Sequence, residues 1–583
     1  MKASYLFILM LICIFYNYNN SCAQTHIPMS CGCIDCNSKN TKVSNGSQKS
    51  TNILSSKDKY YDFYNSSLAM WIPNSNDGVK TIKINFIIVQ KDANDPQNFS
   101  LNGHRSDGKS DDSFLRDLVV SVNNIYANLA DPSDNAAQAV CGTCNQVKNS
   151  KVQFSLEGIH YIVDSNVWGT TDESTYNYNP SSEINIYLPR TSLAYSWCRG
   201  YSTTNLNGNI DLVMNNYYNV YLAFVFDDLV TLLGHELGHA LGLCHTYLNG
   251  GCSSSKEDML NSGGFFDDHF GTYPGRCPDK ICPWNANPYV SNSDSITNNI
   301  MGNTVYRHYW TPKQMGAIQR NMVFNNTRKY LKNSVRNSNP IIVNSNELWD
   351  FDMLLDRDIQ INNLGIITLS QNLQMPDNAL ITINSGGQLI VNNSTIKNGF
   401  NNDWNGITVK SGGLLVLNGT TISDYNITVE AGGSLIIKGS LVMSGNHAIT
   451  VQSGGYLCVE TGTTVQLTDY NSVIKIGESS LNGVNPALSI SSSCISNPSA
   501  IIPSGNGAIA DFNQDMYIQN LTISASRYFG GKNIYVGNHV TTGQTAGDVK
   551  INNGANVIFD CKATTFDAGF ECVLGSSYEV KNH

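Results

Sequence analysis

Four stretches of the chain repeat one pattern: Ile381-Thr-Ile-Asn-Ser-Gly-Gly-Gln-Leu-Ile-Val391, Ile407-Thr-Val-Lys-Ser-Gly-Gly-Leu-Leu-Val-Leu417, Ile427-Thr-Val-Glu-Ala-Gly-Gly-Ser-Leu-Ile-Ile437 and Ile449-Thr-Val-Gln-Ser-Gly-Gly-Tyr-Leu-Cys-Val459. Each reads as strand, Gly-Gly turn, strand. The first glycines, Gly386, Gly412, Gly432 and Gly454, recur at intervals of 26, 20 and 22 residues, the length of one coil of a parallel β-solenoid. Such a coil buries its inward Ile, Val and Leu only by stacking on its neighbours, so the repeats demand a continuous all-β stack. The repetitive region begins near Asn339 and its character returns from Val557 to Ser576, which places a β-solenoid over residues 336–583.

The rest of the 583 residues exceeds what one more small core needs. Residues 1–23 have the parts of a secretory signal: Met1-Lys2, an apolar run from Tyr5 to Tyr16, then Ser21-Cys22-Ala23. The run is too short to span a membrane, and no later stretch is apolar enough to do so. A lipoprotein reading would acylate Cys22, but Asn19 and Asn20 precede it, so export and release is the expectation. Residues 24–78 are polar and carry Cys31, Cys33 and Cys36, as a pro-segment or leader would. Of the 16 cysteines, 14 follow the signal, and an even number in an exported chain suits disulfides whose pairing sequence does not settle. The formal net charge of −10 argues against nucleic acid or an anionic membrane as the main partner.

From Lys80 the pattern Thr81-Ile82-Lys83-Ile84-Asn85-Phe86-Ile87-Ile88-Val89 alternates and then turns fully apolar, as a strand entering a core does. A helix is expected over Ser113–Leu129, strands over Val152–Leu156 and Ile184–Leu188, and a closing helix from Thr311-Pro312 to Leu331. This mixed α+β domain, residues 79–335, holds the motif that carries chemistry. In Leu232-Leu-Gly-His-Glu-Leu-Gly-His-Ala-Leu-Gly-Leu-Cys-His245, His235 and His239 fall on one helix face and can share one Zn²⁺. Asp227 or Asp228 is a candidate cap for that helix. Gly242 is where the helix should stop, letting the chain bring His245 round as a third ligand. Three neutral imidazoles leave the fourth position open to water, which is the arrangement of a catalytic zinc. Glu236 is placed to deprotonate that water as it attacks a peptide carbonyl and to return the proton to the leaving amine.

With these residues the chain resembles the metzincin metallopeptidases, and among them the pappalysins (cytophagalysin- and ulilysin-like enzymes). The shared marks are His-Glu-x-x-His-x-x-Gly-x-x-His at 235–245, the methionine turn Asn298-Asn-Ile-Met-Gly-Asn303 with Met301, and Trp310-Thr-Pro-Lys-Gln314. The resemblance implies a secreted zinc endopeptidase acting on proteins or peptides. It also implies a tyrosine that stabilises the tetrahedral intermediate; Asn303 stands at the family's place, which leaves Tyr306 or Tyr309 to serve or the role vacant. The family's Asp-Thr-Pro calcium segment is missing. Glu257, Asp258, Asp267 and Asp268 are left as Ca²⁺ candidates, although they also read as a solvated acidic loop. Ser196–Ser202 resembles the edge strand on which such enzymes lay substrate. Cys31, Cys33 or Cys36 could occupy zinc's open position in a latent precursor, against the plainer reading of disulfides. The solenoid is a spacer or display module, or reads surface glycans or the cell envelope. The alternative function from another class is an adhesin or carbohydrate-binding protein with an inactive or accessory zinc domain. Intact Glu236 disfavours it.

Overall fold

A computed structural model describes residues 71–582, apart from 94, 105–107, 132–147, 171–174, 191–195, 201–206, 216, 219–225, 244–298, 302–307, 311, 401 and 478–503. The signal and leader through residue 70, Cys141 and Cys144, Cys244, Cys252, Cys277 and Cys282, the acidic loop residues Glu257 to Asp268, Thr311 and Cys494 lie outside them. So do His245 and Tyr306.

The chain is mostly parallel β-sheet with few helices. Its N-terminal part is built on β1 (Lys80–Gln90), flanked by β2 (Val152–Val163) and β3 (Ile184–Tyr187), with β4 (Trp197–Arg199) and β5 (Asp211–Val213) beyond. The order is β2-β1-β3-β5-β4; every pairing is parallel except β4 on β5. β1 buries nearly every side chain because the sheet is covered on both faces there, which explains why its alternation gives way to a continuous apolar run.

Helix α1 (Asp111–Ala127) starts where Ser110 accepts a hydrogen bond from Ser113 N. Phe114, Leu115, Leu118, Val122 and Tyr126 line the face it buries. It packs against α2 (Phe226–Ala240), and α3 (Pro312–Phe324) followed by a 3₁₀ turn (Asn326–Tyr330) closes the layer. The closing helix therefore ends seven residues short of Leu331. The chain turns out of the helix at Asn325, and the Asn326 side chain leaves the turn to donate to the carbonyls of Gly200 and Gly208.

After the turn come β6 (Asn337–Val343), β7 (Asn346–Trp349), β8 (Met353–Leu354) and β9 (Arg357–Ile361), the first strands of a stack whose pairings are all parallel among the described residues. The expected repeats stack one on one. Ile381 pairs with Ile407, Ile407 with Ile427 and Ile427 with Ile449, all fully buried, while Thr382, Thr408, Thr428 and Thr450 form the row facing out. The two glycines of each turn have separate causes. The first sits at positive φ, +76° at Gly412. The second lies against the coil beneath: a Cβ on Gly413 would stand 2.6 Å from the Ile383 carbonyl oxygen. Glycine amides then bond coil to coil, Gly386 N to Gly412 O and Gly412 N to Gly432 O.

The two largest cores among the described residues lie between the helices and the five-stranded sheet and inside the solenoid, and a smaller one fills the last coils. Trp71, Val323 and Phe324 belong to the second. Trp71, in the segment expected to be leader, is buried with its ring edge-on to Phe324 and the Arg357 guanidinium 4.0 Å above it. Cys561 and Cys572, counted among the disulfide candidates, are thiols; Cys561 is buried in the last coils with its Sγ 2.9 Å from Thr564 Oγ1. No helix among the described residues is long and apolar enough to cross a membrane.

Candidate metal centre

Helix α2 owes its position to its apolar face, since Leu229, Leu232, Leu233 and Leu237 are buried in the N-terminal core. It begins at Phe226, so Asp227 and Asp228 lie inside its first turn, where carboxylates favour the positive end of the helix dipole, instead of capping it. Its backbone is read by distant side chains. Tyr126 Oη donates to the Gly234 carbonyl at 2.7 Å, and Tyr217 Oη to that of Leu229 at 2.6 Å. Burial pushes the Tyr126 hydroxyl well above the ordinary tyrosine range, so it stays a neutral donor.

The helix ends as its glycine requires. Gly242 has φ +85°, Gly242 N donates to His239 O at 2.8 Å and Leu243 N to Gly238 O at 3.0 Å, the paired bonds of a Schellman turn. Asn321 Nδ2 and Thr327 Oγ1 satisfy the carbonyls of Leu241 and Ala240, both at 2.9 Å. This turn does more than stop the helix. It swings the Leu243 carbonyl back to 2.6 Å from His239 Nδ1.

His235 finds a corresponding partner elsewhere, its Nδ1 lying 2.7 Å from the Ile300 carbonyl. A carbonyl only accepts, so each Nδ1 donates to its carbonyl, which leaves the Nε2 atoms as the ones able to meet a metal. The two Nε2 atoms are 3.2 Å apart, with the rings nearly perpendicular. Two imidazole nitrogens bound to one tetrahedral zinc stand about 3.3 Å apart. The two nitrogens thus fit Zn²⁺ in spacing. Glu236 between them is fully buried, as are His235 and His239.

Met301 is fully buried in the turn after Ile300. A Cβ on Gly238 would stand 2.5 Å from Met301 Sδ, so the glycine of His-Glu-Leu-Gly-His is what admits the methionine beneath the helix. The structure brings His235 and His239 together and sets Met301 against the same helix, on which Glu236 is buried. Among the described residues, no group of three His, Cys, Asp or Glu side chains converges as a metal site. Tyr309, the other candidate for the tyrosine role, is buried, and its carbonyl accepts from Ile300 N at 2.8 Å.

β4 lies at the edge of the sheet beside α2, within the span expected to form an edge strand. Arg199 pairs with Asp211 across it and lies over the Tyr187 ring. Burial raises the Asp211 carboxyl above its usual range, against the pull of Arg199. Sequence reading assigned no part to Tyr126, Asn321 or Thr327. Their signal lies in which backbone atom each reaches, and nothing local to their own segments announces it.

No protein-family model matches the chain, and no curated protein matches it. Among solved structures, a mutant of promirolysin from Tannerella forsythia is similar over 47% of this chain and 90% of its own, at 14% sequence identity and a TM-score of 0.28.

Proposed function

We propose that the chain is a secreted zinc-dependent endopeptidase, with His235, His239 and His245 as metal ligands and Glu236 as general base. The observation that carries this reading is the pair of buried imidazoles, each with Nδ1 on a backbone carbonyl and the two Nε2 atoms 3.2 Å apart, with Glu236 between them in the sequence of the same helix. Zn²⁺ would polarise the scissile carbonyl and acidify the attacking water. His235 and His239 are held ready before any metal arrives, because their orientation comes from backbone carbonyls on two different segments. Glu236 takes the proton from the attacking water and delivers it to the leaving amine. Its burial keeps bulk water from competing for that proton. An extended peptide adds along the β4 edge, and Met301 packs beneath the helix as a platform.

In the same reading residues 1–23 are a signal, 24–78 a pro-segment or leader, 79–335 the catalytic domain and 336–583 a β-solenoid that serves as a spacer or display module, or else meets surface glycans or the cell envelope. Tyr306 is the nominee for stabilising the tetrahedral intermediate. Glu257, Asp258, Asp267 and Asp268 remain the candidates for Ca²⁺.

The test is cleavage of casein or gelatin by the purified protein, beside Glu236→Ala and with a zinc chelator. Loss of activity in both arms, with zinc still bound by Glu236→Ala, is the expected result. A wild-type protein that holds zinc yet cleaves nothing after leader removal would overturn the reading.

A further inference from the structure

The imidazole of His239 takes its orienting carbonyl from its own helix end, whereas that of His235 takes it from Ile300, 65 residues away. Something must hold that peptide. Ile300 N is tied to the Tyr309 carbonyl at 2.8 Å. The next amide, Met301 N, donates to Asn299 Oδ1 at 2.9 Å. In a planar trans peptide the N–H and the C=O point to opposite edges, so fixing Met301 N–H from one side aims the Ile300 carbonyl to the other. That other side is His235 Nδ1.

Asn299 is itself held. Its Nδ2 donates to Gln314 Oε1 at 2.8 Å and Gln314 Nε2 donates back to Asn299 Oδ1 at 3.3 Å; both residues are fully buried. A reciprocal amide pair of this kind sets which end of Asn299 faces the turn. Were the amide flipped, an NH₂ would confront Met301 N–H, and two buried donors would oppose each other.

We infer that the Asn299–Gln314 pair is the positioning device for His235: it fixes the plane of the Ile300–Met301 peptide and thereby reserves His235 Nε2 as a metal ligand. The inference rests on the zinc reading above. Gln314 acts through Asn299 and touches no reacting atom. It links α3 to an imidazole on α2 through a turn that belongs to neither.

The test uses the full chain with histidine-selective ¹⁵N labelling, in three variants. Gln314→Met removes the amide at nearly constant volume. Gln314→Glu keeps an oxygen for Asn299 Nδ2. Gln319→Met is the control on the same helix, since Gln319 Nε2 donates to Ser150 O at 2.8 Å and reaches nothing at the metal centre. Zn²⁺ affinity is read by competition with a chelator, and the His235 tautomer from the ¹⁵N shifts of the metal-free protein. Gln314→Met is expected to lose about 10–100-fold in Zn²⁺ affinity, the usual cost of losing an outer partner of a metal ligand, and to admit the Nε2–H tautomer at His235. Gln314→Glu should recover most of the affinity. Gln319→Met should lower thermal stability and leave both readouts where they were.

Wild-type affinity and tautomer in Gln314→Met would overturn the inference, as would an equal loss in Gln319→Met. Where Gln314→Met does not fold, Asn299→Ala removes the same link from its other end and is judged on the same two readouts. A protein that binds zinc without cleaving peptides defeats the peptidase reading alone. One that binds no zinc defeats the metal reading, and the tautomer comparison still decides the role of the pair.

Discussion

Lys80 and Asp356, 276 residues apart in sequence, form a buried ion pair at 2.6 Å that joins the first strand of the N-terminal sheet to the opening coil of the solenoid. Asp356 is shared further, accepting from Arg357 Nε at 2.7 Å and Asn337 Nδ2 at 2.8 Å. Burial alone would raise the Asp356 carboxyl, but Lys80 and Arg357 overcome it and hold it at about 2. Burial wins at Lys80, whose ammonium lies below the ordinary lysine range in spite of Asp356. The two directions agree once Arg357 is counted, since Asp356 faces two cations and each cation only part of one anion.

Asp356→Asn should destabilise the protein by roughly 3–5 kcal/mol, because it leaves buried cations uncompensated. Chemical denaturation followed by tryptophan fluorescence reads this, and a loss under 1 kcal/mol would mean that the pair contributes nothing net. Replacing Lys80 and Asp356 together by Met and Leu should cost far less than either single change.

Acid should reveal the same carboxylate. Its folded value near 2 lies below the unfolded value of about 3.9, so the stability it adds is fully present above about pH 5 and is lost as pH falls through 4 toward 2. The contribution is on the order of 2 kcal/mol. Unfolding between pH 5 and 2 should show this limb in the wild type, and a shallower one in Asp356→Asn.

Gly238→Ala places a methyl against Met301 Sδ in a fully buried position. Met301 must move, and with it the turn that carries the Ile300 carbonyl to His235. A cost of about 1–3 kcal/mol and a tenfold or greater fall in kcat/KM are expected. Unchanged kinetics with lowered stability would confine Met301 to packing.

In the solenoid, Gly433→Ala should hurt more than its neighbour Gly432→Ala. The first meets the Val409 carbonyl oxygen at 2.6 Å, a backbone atom, whereas the second strains φ at +79°, worth about 1–2 kcal/mol. Hydrogen exchange should show loosened amides in the adjoining coils, and peptidase activity should be retained.

Chelation should abolish activity without unfolding the chain. The two imidazoles are anchored by backbone carbonyls, and their helix packs into an apolar core that includes no metal ligand. Circular dichroism should be preserved while the melting temperature drops by roughly 10 °C from a zinc-saturated start, with activity and melting temperature restored by added Zn²⁺.

Much of this protein is legible in one dimension. Period and glycine placement announced the stacked coils, because a solenoid residue meets its own counterpart one repeat away and the sequence carries the contact map in its spacing. The pairing of His235 with His239 was equally plain, since a helix converts a four-residue interval into a shared face. Gly242 foretold the helix end. What spacing could not tell was what each imidazole leans on. The Leu243 and Ile300 carbonyls are backbone atoms, and backbone atoms have no letter. The same limit hid Trp71 inside the solenoid core and Asp356 against Lys80, for a buried ion pair between distant residues looks, along the chain, like two ordinary surface charges. The residue alphabet determined the elements and the chemistry on offer; only tertiary packing decided which polar groups were desolvated together, and so which of them had to find each other.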